Sequence, residues 1–159
     1  MIQVQDRLPE ATLHCRGPQG LDGCSIGELT ADQRIVLFAV PGAFTPTCSD
    51  KHVPGFLALN EEIRARGIDE IVCVSVNDPF VMKFWAEHLG VGGAIRFLSD
   101  GNGMFTRSIG MERDMSGGAM GMRSKRYAMI VSDGQVEWLG VDESGLQNAS
   151  AESVLAALS

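Results

Sequence analysis

Apolar positions along the chain follow two periods, and their alternation predicts most of the architecture. Arg34-Ile35-Val36-Leu37-Phe38-Ala39-Val40 and Glu70-Ile71-Val72-Cys73-Val74-Ser75-Val76 are continuously apolar and rich in β-branched residues, the pattern of strands covered on both faces. Between them, over roughly 46–66, Val53, Phe56, Leu57, Leu59 and Ile63 form an apolar stripe with Glu61, Glu62, Arg64 and Arg66 outside it, which predicts a helix. Pro54 predicts a kink within that helix, and Gly67 ends it. Asn77-Asp78-Pro79 predicts the capped start of a second helix, with Phe80, Phe84, Trp85 and Leu89 on one side and Gly90 closing it. Ile95-Arg96-Phe97-Leu98 reads as a short strand and 100–109 as a short helix. Arg126–Val131 and Gln135–Leu139 read as strands joined at Asp133-Gly134, a hairpin signal. Ser150 caps a terminal helix through Val154, Leu155 and Leu158.

The order is β-α-β-α-β, then an antiparallel hairpin and a closing helix, with a right-handed crossover in the parallel half. This order predicts an α/β fold, a thioredoxin-like sandwich in which helices flank a central mixed sheet. Turns at Gly17-Pro18 and Asp22-Gly23 predict an added N-terminal hairpin and short helix over the first 30 residues. Gly117-Gly118-Ala119-Met120-Gly121 reads as a flexible loop. It lacks the GxxxxGK[ST] pattern of a phosphate cradle.

Length and charge narrow the function classes. The 159 residues suit a single domain over 1–159, with an ordinary globular composition of 45% hydrophobic and 21% charged residues. Lys plus Arg number 13 against 20 Asp plus Glu, a net charge of −7, which disfavours nucleic-acid and anionic-membrane partners. Cys15, Cys24, Cys48 and Cys73 are too sparse for a disulfide scaffold, and none forms a CxxC pair. His14, Cys15 and Cys24 match no zinc spacing, so no metal site is expected. The polar N-terminus is unlike a signal peptide, and the longest apolar run, 35–44, is too short to cross a bilayer. These features predict a soluble cytoplasmic protein with free thiols.

The candidate chemistry lies in Pro41-Gly42-Ala43-Phe44-Thr45-Pro46-Thr47-Cys48, where a buried strand ends and a helix begins. Thr45 suits the N-cap and Pro46 the first helical position, which puts Cys48 in the first turn among backbone N–H groups without intrahelical partners. A helix N-terminus together with a cation brings a thiol from about 8.5 into a range of roughly 3.5–7.5, where the nucleophilic thiolate dominates. The helix end alone contributes only about 0.3–1 kcal/mol, so a cation is needed. Arg126, heading its strand, is the candidate, against the reading that Arg123, Lys125 and Arg126 form a solvated basic face. His52 lies four residues after Cys48. It is either a supporting residue near the pocket rim or half of a Cys–His hydrolase pair, for which no Asn or Asp orienter is visible. Cys73, between Val72 and Val74, reads as a buried small hydrophobe, and Met104, Met111, Met115, Met120 and Met122 as flexible packing.

Pro41-x-x-x-Thr45-x-x-Cys48 resembles the active-site signature of the peroxiredoxins. The fuller string from Pro41 to Phe56 is similar to the peroxiredoxin-5 and plant type II branch. Val74–Met82, Trp85 and Gly121–Met129 carry further likeness, so the resemblance spans about 5–157. It implies a thiol-dependent peroxidase without cofactor, reducing hydrogen peroxide and small alkyl hydroperoxides. Cys48 would be the peroxidatic cysteine, Thr45 would hydrogen-bond thiolate and peroxide, and Arg126 would be the family's arginine. Pro41 would shield the site, with Phe44 and His52 shaping the pocket. The resemblance also implies a homodimer packed near the site, for which an exposed Phe44 or Phe80 would suit. Some plant-type relatives place a proposed resolving cysteine at the position of Cys73. Animal-type relatives place one in a late loop that here reads Gly145-Leu146-Gln147-Asn148, without cysteine. The expected reductant is therefore external: glutathione with glutaredoxin, favoured over thioredoxin. The rival readings are a redox-sensing thioredoxin-like binding module and the Cys48–His52 hydrolase.

Overall fold

The structure, a computed structural model, describes residues 1–158. It opens with a hairpin of β1 (Thr12–Gly17) and β2 (Gly20–Ser25), followed by α1 (Ile26–Thr30), whose first turn is capped by the Ser25 hydroxyl accepting from the Glu28 N–H. β3 (Arg34–Val40) leads through a loop into a π-helical turn (Cys48–His52), then α2 (Val53–Ala58) and α3 (Asn60–Ala65). β4 (Glu70–Ser75), α4 (Pro79–Leu89), β5 (Arg96–Ser99) and α5 (Met104–Ser108) come next. A small two-stranded ladder, β6 (Glu112–Asp114) with β7 (Met122–Ser124), precedes β8 (Arg126–Ser132), β9 (Gln135–Asp142) and α6 (Ala151–Ala157). The main sheet has seven strands in the order β2-β1-β5-β4-β3-β8-β9. β3, β4 and β5 are parallel and the other pairings antiparallel. This is the mixed sheet flanked by helices that the element order predicts.

The continuous apolarity of β3 has a direct cause. Val36, Phe38 and Val40 face one cluster, packed under α2, α3, α4 and α6 with Phe56, Ile63, Trp85 and Val154. Ile35, Leu37 and Ala39 face the other, with Leu13, Leu29, Leu98 and Phe105. Both faces are covered, so no position alternates to polar. Asp133 and Gly134 take φ of 47° and 84°, the left-handed pair that a type I′ hairpin demands.

Three expectations are corrected. The stretch over 46–66 is not one helix, and Pro54 sits in the first turn of α2. Proline has no N–H for the carbonyl four residues back, and the distortion falls before it, where the Val53 N–H reaches the Cys48 carbonyl in a wider turn. The actual break is at Leu59, at φ −101° and ψ 11°. On α4, Met82 and Trp85 are buried while Phe80 and Phe84 are about half exposed, at 50% and 56%. At about 100° per residue, Phe80 and Phe84 stand opposite Met82 and Leu89, so the four predicted residues do not share a face. Asp22-Gly23 is no turn but lies within β2, opposite Cys15 and His14, and the hairpin reverses at 18–19. The glycine-rich segment is a loop, connecting β6 to β7 through a short 3₁₀ turn, Ser116–Gly118, and closed by the Met115 N–H on the Gly121 carbonyl.

The loop after β9 rests on a glycine of that strand. A Cβ on Gly140 would run into the Asn148 carbonyl and lie 2.8 Å from the Trp138 ring. Gly140→Ala therefore displaces the 143–149 loop and costs about 1–3 kcal/mol, as overpacking does. Urea unfolding measures this, and an unchanged midpoint would show that the loop does not rest on the strand.

Candidate active site

The segment after β3 is held at both ends before Cys48 appears. The Ala43 N–H donates to the Asn77 side-chain oxygen at 2.9 Å, tying the loop to the turn after β4. The Ser49 N–H donates to the Thr45 carbonyl at 2.9 Å, so the helix starts at Pro46 as its sequence predicts. The Thr45 hydroxyl does not cap that turn. It donates its one proton to the Gly42 carbonyl at 2.7 Å, leaving its lone pairs to accept from a ligand O–H. Phe44 adopts φ 65°, uncommon for a non-glycine residue, which turns its ring outward toward His88 (5.6 Å between centroids) and Trp85 (6.4 Å). Phe44 is thus 51% exposed and forms no wall of the cavity above Cys48, contrary to the pocket-shaping role expected of it.

Arg126 opens β8 beside β3, and its planar fork reaches two groups at once. One nitrogen, Nη2, donates to the Cys48 sulfur at 3.0 Å, and Nη1 donates to His52 Nδ1 at 2.7 Å. The other ring nitrogen of His52 lies 2.8 Å from the Ala149 carbonyl. A carbonyl only accepts and a guanidinium only donates, so His52 is the neutral tautomer with its proton on Nε2. Burial, and then the neighbouring Arg126 charge, lower its pKa to about 3. His52 is fully buried rather than at the rim. Neither ring nitrogen faces Cys48, which leaves the Cys–His hydrolase pair without a base.

Sequence reasoning missed the next link. Asp142, at the end of β9, lies opposite Arg126 in the register. Its carboxylate accepts the N–H groups of Gln147, Asn148 and Ala149 at 3.0, 2.9 and 2.9 Å. Burial alone would raise its pKa, but these bonds and the His52 field hold it below the usual carboxylate value. The chain Cys48–Arg126–His52–Ala149–Asp142 therefore runs through the carbonyl and the N–H of one residue of the late loop. An acidic residue opposite a strand-heading arginine was the only local signal.

Above the sulfur lies a cavity of about 280 Å³, lined by Pro41, Thr45 and Thr47, with Met115, Met120 and Arg113 from the β6–β7 unit and Asp142, Ser144 and Gly145 opposite. Arg126 also lines it, while Cys48 is buried beneath. A larger cleft of about 700 Å³ lies beside β1 and the start of α4, lined by Glu10, His14, Asp78 and Met104. It touches none of Cys48, Thr45 or Arg126 and so has no part in this chemistry. Cys73 is fully buried mid-strand, opposite Phe38 and Phe97, in the same apolar cluster as Cys48. Burial, and then the Cys48 charge, push its thiol well above the ordinary value, with Arg126 opposing.

Residues 3–155 match the Redoxin family. The chain is 51% identical over 163 residues to Peroxiredoxin-2E-2, chloroplastic, of Oryza sativa subsp. japonica, covering 99% of this chain and 72% of that protein. This chain is a peroxiredoxin. It belongs to the plant type II branch and is 42% identical to Peroxiredoxin-2B of Arabidopsis thaliana, across 99% of this chain and 98% of that one. Its fold matches the reduced Prx3 of Vibrio vulnificus, solved in complex with H2O2, with a TM-score of 0.96 and 44% identity over the full length of both chains. This peroxiredoxin is accordingly a thiol-dependent peroxidase, an oxidoreductase.

Proposed function

We propose that this peroxiredoxin reduces hydrogen peroxide and small alkyl hydroperoxides in a cycle carried by Cys48 alone. The observation that carries the reading is the guanidinium of Arg126, 3.0 Å from the Cys48 sulfur at the floor of the cavity. The thiolate attacks one peroxide oxygen in line with the O–O bond. That bond breaks, the departing oxygen takes up a proton as water or alcohol, and Cys48 becomes a sulfenic acid. Arg126 aims donors at the oxygen where charge develops, and Thr45, its proton committed to Gly42, accepts from the peroxide O–H. An external thiol then displaces hydroxide from the sulfenic sulfur, and a second thiol releases Cys48 from the mixed disulfide.

Glutathione with glutaredoxin fits better than thioredoxin, because Cys73 is sealed within the sheet and the 145–148 stretch holds no cysteine. A disulfide needs Cα atoms within about 7 Å and converging Cβ vectors, which a mid-strand thiol and a helical one reach only by unwinding. The cycle requires free thiols and hence a reducing compartment such as the cytoplasm. The half-exposed Phe44, on the loop that leads to Cys48, and Phe80 on α4 support a homodimer packed over this side of the molecule. Peroxide consumption tests the cycle. Cys48→Ser loses turnover, whereas Cys73→Ser keeps full activity with glutathione plus glutaredoxin. Undiminished turnover in Cys48→Ser would end the peroxidase reading, and a Cys48–Cys73 peptide in oxidised wild type would replace the one-cysteine cycle.

A further inference from the structure

We propose that Arg113 recognises a carboxylate of the thiol that reduces Cys48, so that the cavity is a site for glutathione-like anionic thiols. The inference rests on the one-cysteine cycle proposed above. In the β6–β7 ladder Arg113 stands directly opposite Arg123. Like charges in that position destabilise a strand pair. Arg123 donates through Nε to the Met120 carbonyl at 2.8 Å, but the Arg113 side chain makes no hydrogen bond or ion pair among the described residues. The acidic chain supplies partners to other arginines, Glu137 to Arg34 and Glu70 to Arg96, yet none here.

Arg113 lines the same cavity as Thr45 and Arg126. Arg126 serves Cys48, His52 and the departing peroxide oxygen, and Asp142 holds three backbone N–H groups. The cation left for a ligand is Arg113, whose fork suits a carboxylate. At about 280 Å³ the cavity is slightly below the usual range of about 300–1,000 Å³ for enclosed small-molecule sites, so it admits the thiol-bearing part of a short peptide rather than a bulky reactant. Charge favours the oxidised state: conversion of the Cys48 thiolate to a neutral sulfenic acid removes a negative charge from beneath the cavity, and an arriving carboxylate meets less repulsion. The thiol sulfur then bonds to the Cys48 sulfur, the S–O bond breaks, and hydroxide leaves as water with the proton of the incoming thiol. Cys48 is reduced and the thiol oxidised within one mixed disulfide.

The experiment compares kcat/KM at saturating hydrogen peroxide for glutathione, for its diethyl ester with both carboxylates masked, and for β-mercaptoethanol. Arg113→Gln lowers the glutathione-to-mercaptoethanol ratio about tenfold, the size of one lost charge-assisted contact, and leaves the ester-to-mercaptoethanol ratio in place. Arg113→Lys recovers part of the loss because charge remains while the fork is gone. A ratio unchanged in Arg113→Gln, or an equal fall for all three thiols, overturns the assignment. So does an effect confined to carboxylate-bearing hydroperoxides, which would move the anion to the oxidising substrate. Wild-type protein inactive with every thiol would instead refute the cycle itself.

Discussion

Arg126→Ala slows the attack of hydrogen peroxide on Cys48 by about 10²–10³-fold, the usual loss when one preorganised donor is removed from a developing oxyanion. Two functions end together in that variant. The sulfur loses its 3.0 Å partner, and His52 loses the donor on Nδ1. Arg126→Lys does not restore the rate, because one ammonium on a flexible stem cannot hold the sulfur and the imidazole in fixed directions as the guanidinium does. Stopped-flow oxidation of the reduced protein measures the step without any reductant. A rate in Arg126→Ala within a factor of two of wild type would remove the arginine from the chemistry.

Acidification below neutrality weakens the fold through His52. Its pKa is about 3 in the folded protein against 6.5 for an ordinary histidine. Between those values the unfolded chain binds a proton that the folded one refuses, so stability falls as pH decreases, by at most about 1.4 kcal/mol per unit. Above 6.5 both states are neutral and the contribution is constant. Asp142, held below its ordinary 3.8, adds its loss only at the acid end, which leaves the range from about 6 to 4.5 to His52. Burial first, and then the Arg126 charge facing the ring, keep the proton off across that range. Urea midpoints at pH 7, 6 and 5 should fall in sequence, while the His52 ring signal in NMR stays that of the neutral form. A ring that titrates near 6.5 would show that the imidazole is neither sealed nor held by the arginine.

The parts legible in the sequence are those that local pattern controls. β3 and β4 announce themselves because both faces are covered. Asp133-Gly134 specifies its own turn, and Pro46 marks the helix start that carries Cys48, although the Thr45 hydroxyl turns to Gly42 instead of capping it. Arg126 could be nominated by type and position, though only its geometry separates it from Lys125, which pairs with Glu143 at the surface. The depth of His52 was hidden because it depends on Ala149, 97 residues away. Asp142 was hidden for a similar reason: its role arises from strand register and a loop that returns on itself. β6 and β7, at three residues each, are too short to display any period, and with them went the meaning of Arg113.

The grip of Asp142 on the late loop divides what that stretch tolerates. All three of its bonds go to main-chain N–H groups, and His52 likewise takes a main-chain carbonyl. Side-chain identity at 147–148 therefore has little bearing on these bonds, whereas Ala149 is fully buried in the core and the number of residues between Asp142 and Ala149 decides the frame. Substitutions can accumulate there, including the cysteine that animal-type relatives place in this loop, without moving the arginine beneath. A single-residue insertion or deletion shifts the peptide unit that His52 reads. The loop is thus free in spelling ahead of the buried Ala149 and fixed in length, and gaining or losing a second redox residue need not disturb the first.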